Sequence, residues 1–239
     1  MTTRRILVIG DTHGARDPVL RLLGAVGSET WDGVLWVGDV APPVGRHPSL
    51  QQVEAERDFL LRALKPLGAD VLWVPGNHDP RELDGPGCVD RRNARLAGLS
   101  VYGLGGAGPA RFGFPYEWGE GEIRALAPEP HDVLLSHCPP YGARDRVFWG
   151  RRVGSRAVAE LSRSFRLTVC GHIHEAAGVQ RFREGLVLNA GSLGEPFAKL
   201  QHGEILHHGD GSLTVRHVLL RGKGETLRRG KVNELRLLP

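Results

Sequence analysis

The feature of this sequence that most constrains its fold is a series of five short apolar runs, four of which lead within two residues to a glycine. The runs lie at residues 6–9, 34–37, 71–74, 133–135 and 167–170. Continuous apolar runs rich in β-branched residues are typical of strands that are buried on both faces. Helical patterns separate several of the runs, at residues 17–26, 50–65 and 155–165. The alternation of buried strands with helices predicts a layered α/β architecture.

The last quarter of the chain has a different pattern, in which short strands follow one another. These strands are predicted at residues 177–183, 186–189, 199–207 and 212–220. No internal repeat and no long linker divides the chain, so we expect residues 1–220 to form one domain. Two Gly- and Pro-rich stretches, 105–119 and 138–154, carry aromatic and arginine side chains. Loops of that length in a compact domain are often functional.

The charge of the chain is unevenly distributed. The formal net charge is +4, and residues 221–239 hold six basic and two acidic side chains, which account for all of it. We expect this segment to be a basic C-terminal tail that is solvated or loosely docked. Contact with nucleic acid is a weaker alternative, because no aromatic side chain lies between the charges.

Several classes of protein are disfavoured by composition. No apolar run approaches the ~18 residues that a membrane span requires, and the first residues enter a strand-like pattern directly, so we expect neither a membrane segment nor a signal peptide. The three cysteines, Cys88, Cys138 and Cys170, do not suggest a disulfide framework. Hydrophobic residues make up 41% of the chain, enough for one sizeable core. These observations predict a globular cytoplasmic protein.

Each of the five predicted strands is followed by an oxygen or imidazole donor at its carboxyl end. In open α/β sheets, ligands bind at that edge. Within Asp11/His13 and within His172/His174 the members are two residues apart, so in extended backbone both point to the same side. The donors that follow the strands in chain order are Asp11, His13, Asp39, Asn77, His78, His137, His172 and His174.

Setting His78 aside, seven donors are too many for a single tetrahedral zinc ion. They suit two divalent ions ~3.5–4 Å apart that share one carboxylate. The donors are imidazole, carboxylate and amide groups with no thiolate, which favours manganese, iron or zinc over calcium. We expect two divalent metal ions, manganese first, with iron or zinc as alternatives.

Five blocks of the sequence resemble the five signature blocks of the calcineurin-like metallophosphoesterases. They read GDTHG at 10–14, GD at 38–39, GNHD at 76–79, SH at 136–137 and GHIH at 171–174. The resemblance implies a four-layer αββα sandwich, in which helices flank two mixed β-sheets. It also implies a ligand set for each of two metal ions, bridged by Asp39: Asp11, His13, Asp39 and His174 for one, and Asp39, Asn77, His137 and His172 for the other.

The same resemblance implies that His78 is the catalytic imidazole, which contacts the substrate phosphate and assists the leaving group. Protein Ser/Thr phosphatases of this superfamily have a longer second block, GDxxDRG, whereas Asp39 is followed here by VAPP. The carboxylate that orients the catalytic histidine in those enzymes therefore has no counterpart, and we expect Asp79, the neighbour of His78, to be badly placed to orient it. The segments HCPP, GHIHE and NAGS look like those of the small stand-alone phosphodiesterases.

These residues predict a dinuclear metal-dependent phosphoesterase that hydrolyses phosphodiesters, either nucleotide-like or small model diesters. Two cations lower the pKa of a bound water toward ~7 and so provide the attacking hydroxide. Two alternatives stay open, namely a metal-dependent nuclease and a metal-stabilised protein-binding scaffold without catalysis. A nuclease would bind its strand with a steep dependence on salt, unlike an enzyme for small diesters.

Substrate recognition is predicted less sharply. Four arginines follow His137 in the loop 138–154, together with Tyr141, Phe148 and Trp149. Guanidinium groups suit phosphate oxygens, and aromatic rings can stack on a base. The alternative, with equal weight, is that the arginines are solvated and the rings pack the loop down. The candidate substrate-binding residues are Arg144, Arg146, Arg151 and Arg152; the oligomeric state stays open.

Overall fold

Twelve strands and four α-helices make up the regular structure of the described residues, which are 2–42, 49–129, 131–222 and 227–239 of a computed structural model. The strands are β1 (Arg4–Ile9), β2 (Gly33–Trp36), β3 (Val71–Trp73), β4 (Asn93–Leu96), β5 (Leu99–Leu104), β6 (His131–Ser136), β7 (Phe165–Cys170), β8 (Gly178–Phe182), β9 (Gly185–Asn189), β10 (Gln201–His207), β11 (Leu213–Arg221) and β12 (Arg228–Leu237). The helices are α1 (Arg16–Val26), α2 (Leu50–Leu64), α3 (Glu120–Arg124) and α4 (Arg156–Leu161).

The strands form two mixed sheets of six. The first sheet has the order β12-β11-β10-β1-β2-β3, with β1, β2 and β3 parallel and the last three strands of the chain added antiparallel. The second has the order β4-β5-β6-β7-β9-β8, with a parallel centre and one antiparallel strand at each edge. All five strands predicted from the apolar runs lie in the parallel parts of these sheets.

Alternating side chains of each sheet pack in opposite directions. In β1, Ile6 and Val8 point into a core between the sheets, where they meet residues of β6 and β7. Leu7 and Ile9 point outward, into a second core that contains residues of α1 and α2. A third core covers the outer face of the second sheet with α3 and α4. Helix, sheet, sheet and helix form four layers, which confirms the expected αββα sandwich.

The helix boundaries depend on local signals that the sequence displays. Ser49 caps α2 through a capping box with Gln52, and a 3₁₀ turn at Lys65–Leu67 ends that helix. Ser155 caps α4 by accepting a hydrogen bond from the backbone N–H of Val158. The predicted helix 155–165 is too long, because the chain leaves α4 through a 3₁₀ turn and enters β7 at Phe165. In the described part of the chain, no helix has both the length and the apolarity to cross a bilayer.

Three elements near the middle of the chain, β4, β5 and α3, were not predicted from the sequence. Strands β4 and β5 form a hairpin joined by Ala97 and Gly98, whose φ angles of +48° and +82° fit a type I′ turn. Helix α3 has only five residues and directly follows the irregular stretch 105–119. None of the three has the continuous apolar run that marks the five predicted strands.

The expectation of a loosely docked tail at 221–239 is wrong for most of its length. Residues Arg228–Leu237 form β12, which pairs antiparallel with β11 at the edge of the first sheet. Leu235 and Leu237 pack against the core between the sheets, and Arg229 contacts the buried Glu204 of β10. The charge count hid this alternation of apolar and basic side chains. Residues 223–226 of the predicted tail lie outside the described residues.

The ion pair between Arg229 and Glu204 leads to a prediction about stability. Arg229→Ala should lower the free energy of unfolding at neutral pH by about 1–3 kcal/mol, because a buried carboxylate loses a charged partner at 2.5 Å. Arg228→Ala, which removes the exposed neighbour in the same strand, is the control and should cost less than about 0.5 kcal/mol. Urea unfolding of the three proteins measures the difference, and equal losses would contradict the assignment.

The same pair gives a dependence on pH. Burial alone would raise the pKa of Glu204, but its hydrogen bond with His202 and the charge of Arg229 lower that pKa to about 2. A carboxylate with a depressed pKa contributes stability above its ordinary pKa of 4.5, and the contribution is lost as the pH falls toward 2. The stability difference between wild type and Arg229→Ala should therefore narrow as the pH falls through this window.

Candidate metal centre

The carboxyl ends of strands from both sheets meet at one place, and seven of the predicted site residues lie there as metal-ligand candidates. Asp11, Asp39 and Asn77 follow β1, β2 and β3 of the first sheet. His137 follows β6, and His172 and His174 follow β7 of the second sheet. An isolated β-bridge between Asp11 and Ser192 joins the sheets at this point. Except for the partly buried His172, the candidate ligands are buried.

The first ligand group is already assembled. One ligand atom each from Asp11, His13, Asp39 and His174 lies within 4.8 Å of all the others. The Nε2 atom of His174 is 2.9 Å from Asp11 Oδ2, and the Nε2 atom of His13 is 3.5 Å from Asp39 Oδ2. This is the group that the sequence resemblance assigns to one metal ion.

The second group adjoins the first through Asp39. The Nε2 atom of His137 is 2.9 Å from Asn77 Oδ1 and 3.5 Å from Asp39 Oδ2. The ring of His172 packs against that of His137, with 5.2 Å between centroids. Asp39 Oδ2 is thus equally distant from an imidazole nitrogen of each group, which is where a bridging carboxylate has to lie.

The hydrogen bonds of the imidazoles test whether this site fits a cation. The Nδ1 atoms of His13, His137 and His174 lie 3.1, 2.8 and 2.6 Å from backbone carbonyl oxygens. A carbonyl only accepts, so each Nδ1 carries a proton, and each Nε2 offers an inward lone pair once it carries no proton of its own. The Nε2 atoms of His13 and His174 are only 3.3 Å apart. Two facing lone pairs need a proton or a cation between them, so the donor set fits a metal.

One orphaned polar atom points to the same conclusion. Asp11 Oδ1 is buried without a hydrogen-bond partner among the described residues. Burying a polar atom without a partner costs ~1–3 kcal/mol, so such atoms call for an explanation. The orphaned carboxylate oxygen of Asp11 faces the ligand cluster that its Oδ2 already joins.

The pKa values describe a site that holds protons when it holds no cations. Burial opposes ionisation of Asp39, but the charges of His137 and His13 keep its pKa well below the ordinary value. Burial would lower the pKa of His174, but hydrogen bonding and attraction to Asp11 raise it to about 9. Burial and the charge of His137 lower the pKa of His172 to about 3. Metal binding therefore has to displace a proton from His174.

The backbone around the ligands is strained and closely packed. The φ angles of His13, Asp39 and His172 are +47°, +47° and +64°. Residues other than glycine seldom adopt this region of backbone conformation. Such strain clusters at functional sites, where surrounding contacts hold it in place. A Cβ atom at Gly76 would overlap the carboxylate of Asp39. Glycine is required there because the two loops approach so closely.

His78 lies beside the ligands and is partly buried. Its backbone N–H donates to Asp39 Oδ1 at 3.0 Å, and its ring is 5.2 Å from that of His13 and 4.5 Å from that of Phe114. Phe114 belongs to the irregular stretch 105–119 and was not singled out in the sequence. Packing between two rings is the orienting contact that the described residues provide for His78.

Asp79, the residue after His78, has a structural role. Its carboxylate accepts hydrogen bonds from the backbone N–H groups of Val40, Ala41 and Gly76, at 2.7–3.1 Å. Burial and the charge of Asp39 raise the pKa of Asp79 to about 6. It ties the loop after β2 to the loop after β3, so these hydrogen bonds brace the site rather than orient His78.

Three of the four candidate arginines form hydrogen bonds or ion pairs with other residues of the protein. Arg144 donates to the backbone oxygens of Ala177 and Val179, and Arg146 donates to that of Gly150. Arg152 forms an ion pair with the fully buried Asp145 at 2.5 Å, and Arg151 is exposed. Contact of these side chains with a substrate stays a prediction.

Asn189 positions the turn after β7. The sequence analysis noted it only as part of the NAGS segment. Its Nδ2 atom donates to the backbone oxygens of Gly171 and Ile173, at 3.1 and 3.0 Å. These bonds hold the turn that carries His172 and His174. The contact lies between residues far apart in sequence, so spacing alone does not predict it.

Comparison with known proteins gives one family and several similar chains. The profile of the calcineurin-like phosphoesterases matches residues 4–176. The uncharacterized protein MJ1162 of Methanocaldococcus jannaschii is 26% identical over 202 residues, which are 77% of this chain and 87% of that protein. TT1561 of Thermus thermophilus has a TM-score of 0.55 at 16% identity, over 96% of this chain and 99% of its own. Vps29 of Chaetomium thermophilum has a TM-score of 0.50 at 16% identity, over 98% of both chains. At such identities the solved structures show a shared fold.

The position of Asp39 leads to a prediction about metal content. Asp39→Asn should lose one or both metal equivalents and most activity, because an amide cannot screen the repulsion between two cations as a carboxylate does. Asp70→Asn, at an exposed position before β3, is the control and should keep both. Elemental analysis of the purified proteins measures the metal. Two full equivalents with wild-type turnover in Asp39→Asn would show that Asp39 does not bridge.

Proposed function

The chain belongs to the calcineurin-like phosphoesterase family, and on that basis we propose that it is a dinuclear metal-dependent phosphodiesterase that hydrolyses small phosphodiesters, nucleotide-like ones among them. The observation that carries the proposal is the position of Asp39 Oδ2, 3.5 Å from a histidine nitrogen in each of two ligand groups. Manganese is the metal we propose, with iron or zinc as alternatives. A cytoplasmic location stays a prediction.

The proposed reaction assigns a separate role to each group of side chains. Asp11, His13, Asp39 and His174 would hold one cation, and Asp39, Asn77, His137 and His172 the other. When bound, the two cations would supply positive charge that polarises the phosphoryl group and acidifies a water molecule. The strained loops keep the ligands in place before the metal arrives, so little reorganisation accompanies binding.

His78 is the side chain that we propose as proton donor to the leaving group. Burial lowers the pKa of His78 below its ordinary value of 6.5, so its ring is mostly neutral near pH 7 in the free protein. An anionic phosphodiester beside the ring would favour the protonated form. Substrate binding would thus prepare the donor, and Phe114 and His13 would hold the ring in position.

The ion pairs of the basic strand β12 favour the interpretation that the substrate is small and is not a nucleic acid. Arg229 pairs with Glu204 and Glu29, and Arg236 pairs with Asp210. These two of the six basic side chains of the segment are engaged within the protein and neutralise fewer phosphates, which weakens the nuclease alternative. The presence of His78 beside a full ligand set likewise argues against a non-catalytic scaffold.

A panel of metals and substrates tests the proposed function. Protein stripped of metal and reconstituted with manganese, iron or zinc should hydrolyse p-nitrophenyl diesters, with activity that depends little on salt. Activity on monoesters alone, or a steep loss with salt on oligonucleotides, would contradict the proposal.

Replacement of His78 separates catalysis from metal binding. His78→Ala should keep both metal equivalents, because His78 is not among the proposed ligands, and turnover should fall about 10²–10⁴-fold. The loss should shrink for diesters with acidic leaving groups, which need little protonation. His131→Ala is the control, since His131 begins β6 and the site lies at the other end of that strand. Equal losses across leaving groups would rule out proton donation by His78.

A further inference from the structure

Exposed aromatic rings are concentrated around the metal centre. The side chains of Phe112, Phe148, Trp149 and Phe197 are 79%, 72%, 64% and 46% exposed. Together with Phe114 they form a set that we call the aromatic arc. Large rings in contact with water are unfavourable, so two groups of them beside a candidate metal centre mark a binding site more often than an accident of folding.

One arm of the arc reaches the centre through His78. The rings of Phe112 and Phe114 are 6.1 Å apart, and Phe114 packs on His78 at 4.5 Å. The carboxylate of Glu117 accepts hydrogen bonds from the backbone N–H groups of Arg111, Phe112 and Gly113, at 2.9–3.2 Å. The loop tip that presents Phe112 is therefore held from within the same loop.

The other arm reaches the centre through His174. The carbonyl oxygen of Pro196 accepts a hydrogen bond from His174 Nδ1 at 2.6 Å, and the next residue is Phe197. Phe148 lies 6.2 Å from Phe197 and 4.5 Å from Trp149, measured between ring centroids.

A carboxylate also holds this second arm. Glu175, the residue after the candidate ligand His174, accepts a hydrogen bond from the backbone N–H of Phe148 at 2.9 Å. Each arm is thus a loop tip whose backbone is held by a glutamate, and a loop that is already ordered loses less conformational entropy when it binds a ligand. The ring of His13 joins the arms, since its centroid lies 5.2 Å from that of His78 and 5.1 Å from that of His174.

The backbone of Phe197 is strained in a way that its packing does not explain. Its φ angle is +64°, a conformation that costs a bulky residue ~1–2 kcal/mol, and its ring is nearly half exposed. Glycine or asparagine would fill this position at less cost. Strain of this kind is typical of residues that act on a ligand.

We propose that the aromatic arc binds the planar base of a nucleotide-like phosphodiester whose phosphate lies at the metal centre. This inference rests on the proposed function, because the metal centre is what places the phosphate. The arc residues carry no charge, and Arg144, Arg146 and Arg152 are engaged with the protein. The base is therefore held by stacking, which tolerates any of the four bases.

Fluorescence tests binding separately from catalysis. Trp149 is 64% exposed, whereas the other four tryptophans are at most 3% exposed, so Trp149 reports on the arc alone. In metal-reconstituted protein, adenosine 5′-monophosphate should quench the emission saturably, and ribose 5-phosphate should not. Trp149→Phe should remove the quenching. Equal responses to the two compounds would overturn the proposal.

Kinetics with a shared leaving group test the effect on substrate choice. Thymidine 5′-(p-nitrophenyl phosphate) and methyl p-nitrophenyl phosphate have the same leaving group. Only the thymidine ester carries a base that can stack on the arc. Trp149→Ala and Phe112→Ala should raise KM for the thymidine ester about 5- to 100-fold, while the methyl ester changes little. Leu20→Ala, which removes an exposed apolar side chain from α1, is the control and should change neither.

The outcomes separate this inference from the proposed function. If wild-type protein hydrolyses neither ester, the proposed function fails, and the fluorescence titration still decides about the arc. If both esters are hydrolysed but each variant affects them equally, the arc proposal is overturned and the function stands. A hexyl p-nitrophenyl phosphate that matches the thymidine ester in KM would also overturn it, because general apolarity would then suffice.

Replacement of Phe197 distinguishes a role in ligand binding from a role in folding. Phe197→Asn keeps a residue that tolerates positive φ and removes the ring. We expect its Tm to rise by about 2–4 °C from relief of strain, with unchanged metal content and a raised KM for the thymidine ester. A lower Tm with unchanged KM would show that the ring serves folding and would remove Phe197 from the arc.

Discussion

The burial of two carboxylates, Asp11 and Asp39, where the sheets meet is the constraint on which the rest of the site depends. Transfer of one ionised carboxylate from water into a protein interior costs several kcal/mol unless it is paired. Both are fully buried, and beside them lie the imidazoles of His13, His137 and His174 and the backbone N–H groups of His78 and His172. Imidazoles whose Nδ1–H groups donate hydrogen bonds to carbonyl oxygens bring Nε2 lone pairs to the centre, so the arrangement suits a cation, and we propose that it holds two.

Much of the surrounding structure maintains this arrangement. The positive φ angles at His13, Asp39 and His172 turn the chain sharply at strand ends, so that donors from separate strands converge. Asp79 ties the loop after β2 to the loop after β3 through backbone N–H groups, and Asn189 holds the turn after β7. The αββα layers supply a rigid frame, because each central strand is covered on both faces. Catalysis of the proposed kind depends on such fixed geometry more than on any single residue.

The sequence predicts those parts of the molecule that local pattern determines. Apolar runs place the central strands, and donors such as Asp39 and His137 follow them because a parallel sheet collects its strand ends at one edge. Strand β12 was missed because its charges dominate its composition, although Leu235 and Leu237 alternate toward the core. The packing of Phe114 on His78 and the hydrogen bond from His174 to Pro196 join residues far apart in the chain, and no local pattern reveals them.

The central claim is that Asp39 bridges two cations. Anomalous scattering from crystals grown with manganese tests it most directly, because the method locates each metal without reference to activity. The account predicts two peaks ~3.5–4 Å apart, one on each side of Asp39 Oδ2. A single peak within the group of Asp11, His13 and His174, with none beside Asn77 and His137, would contradict it.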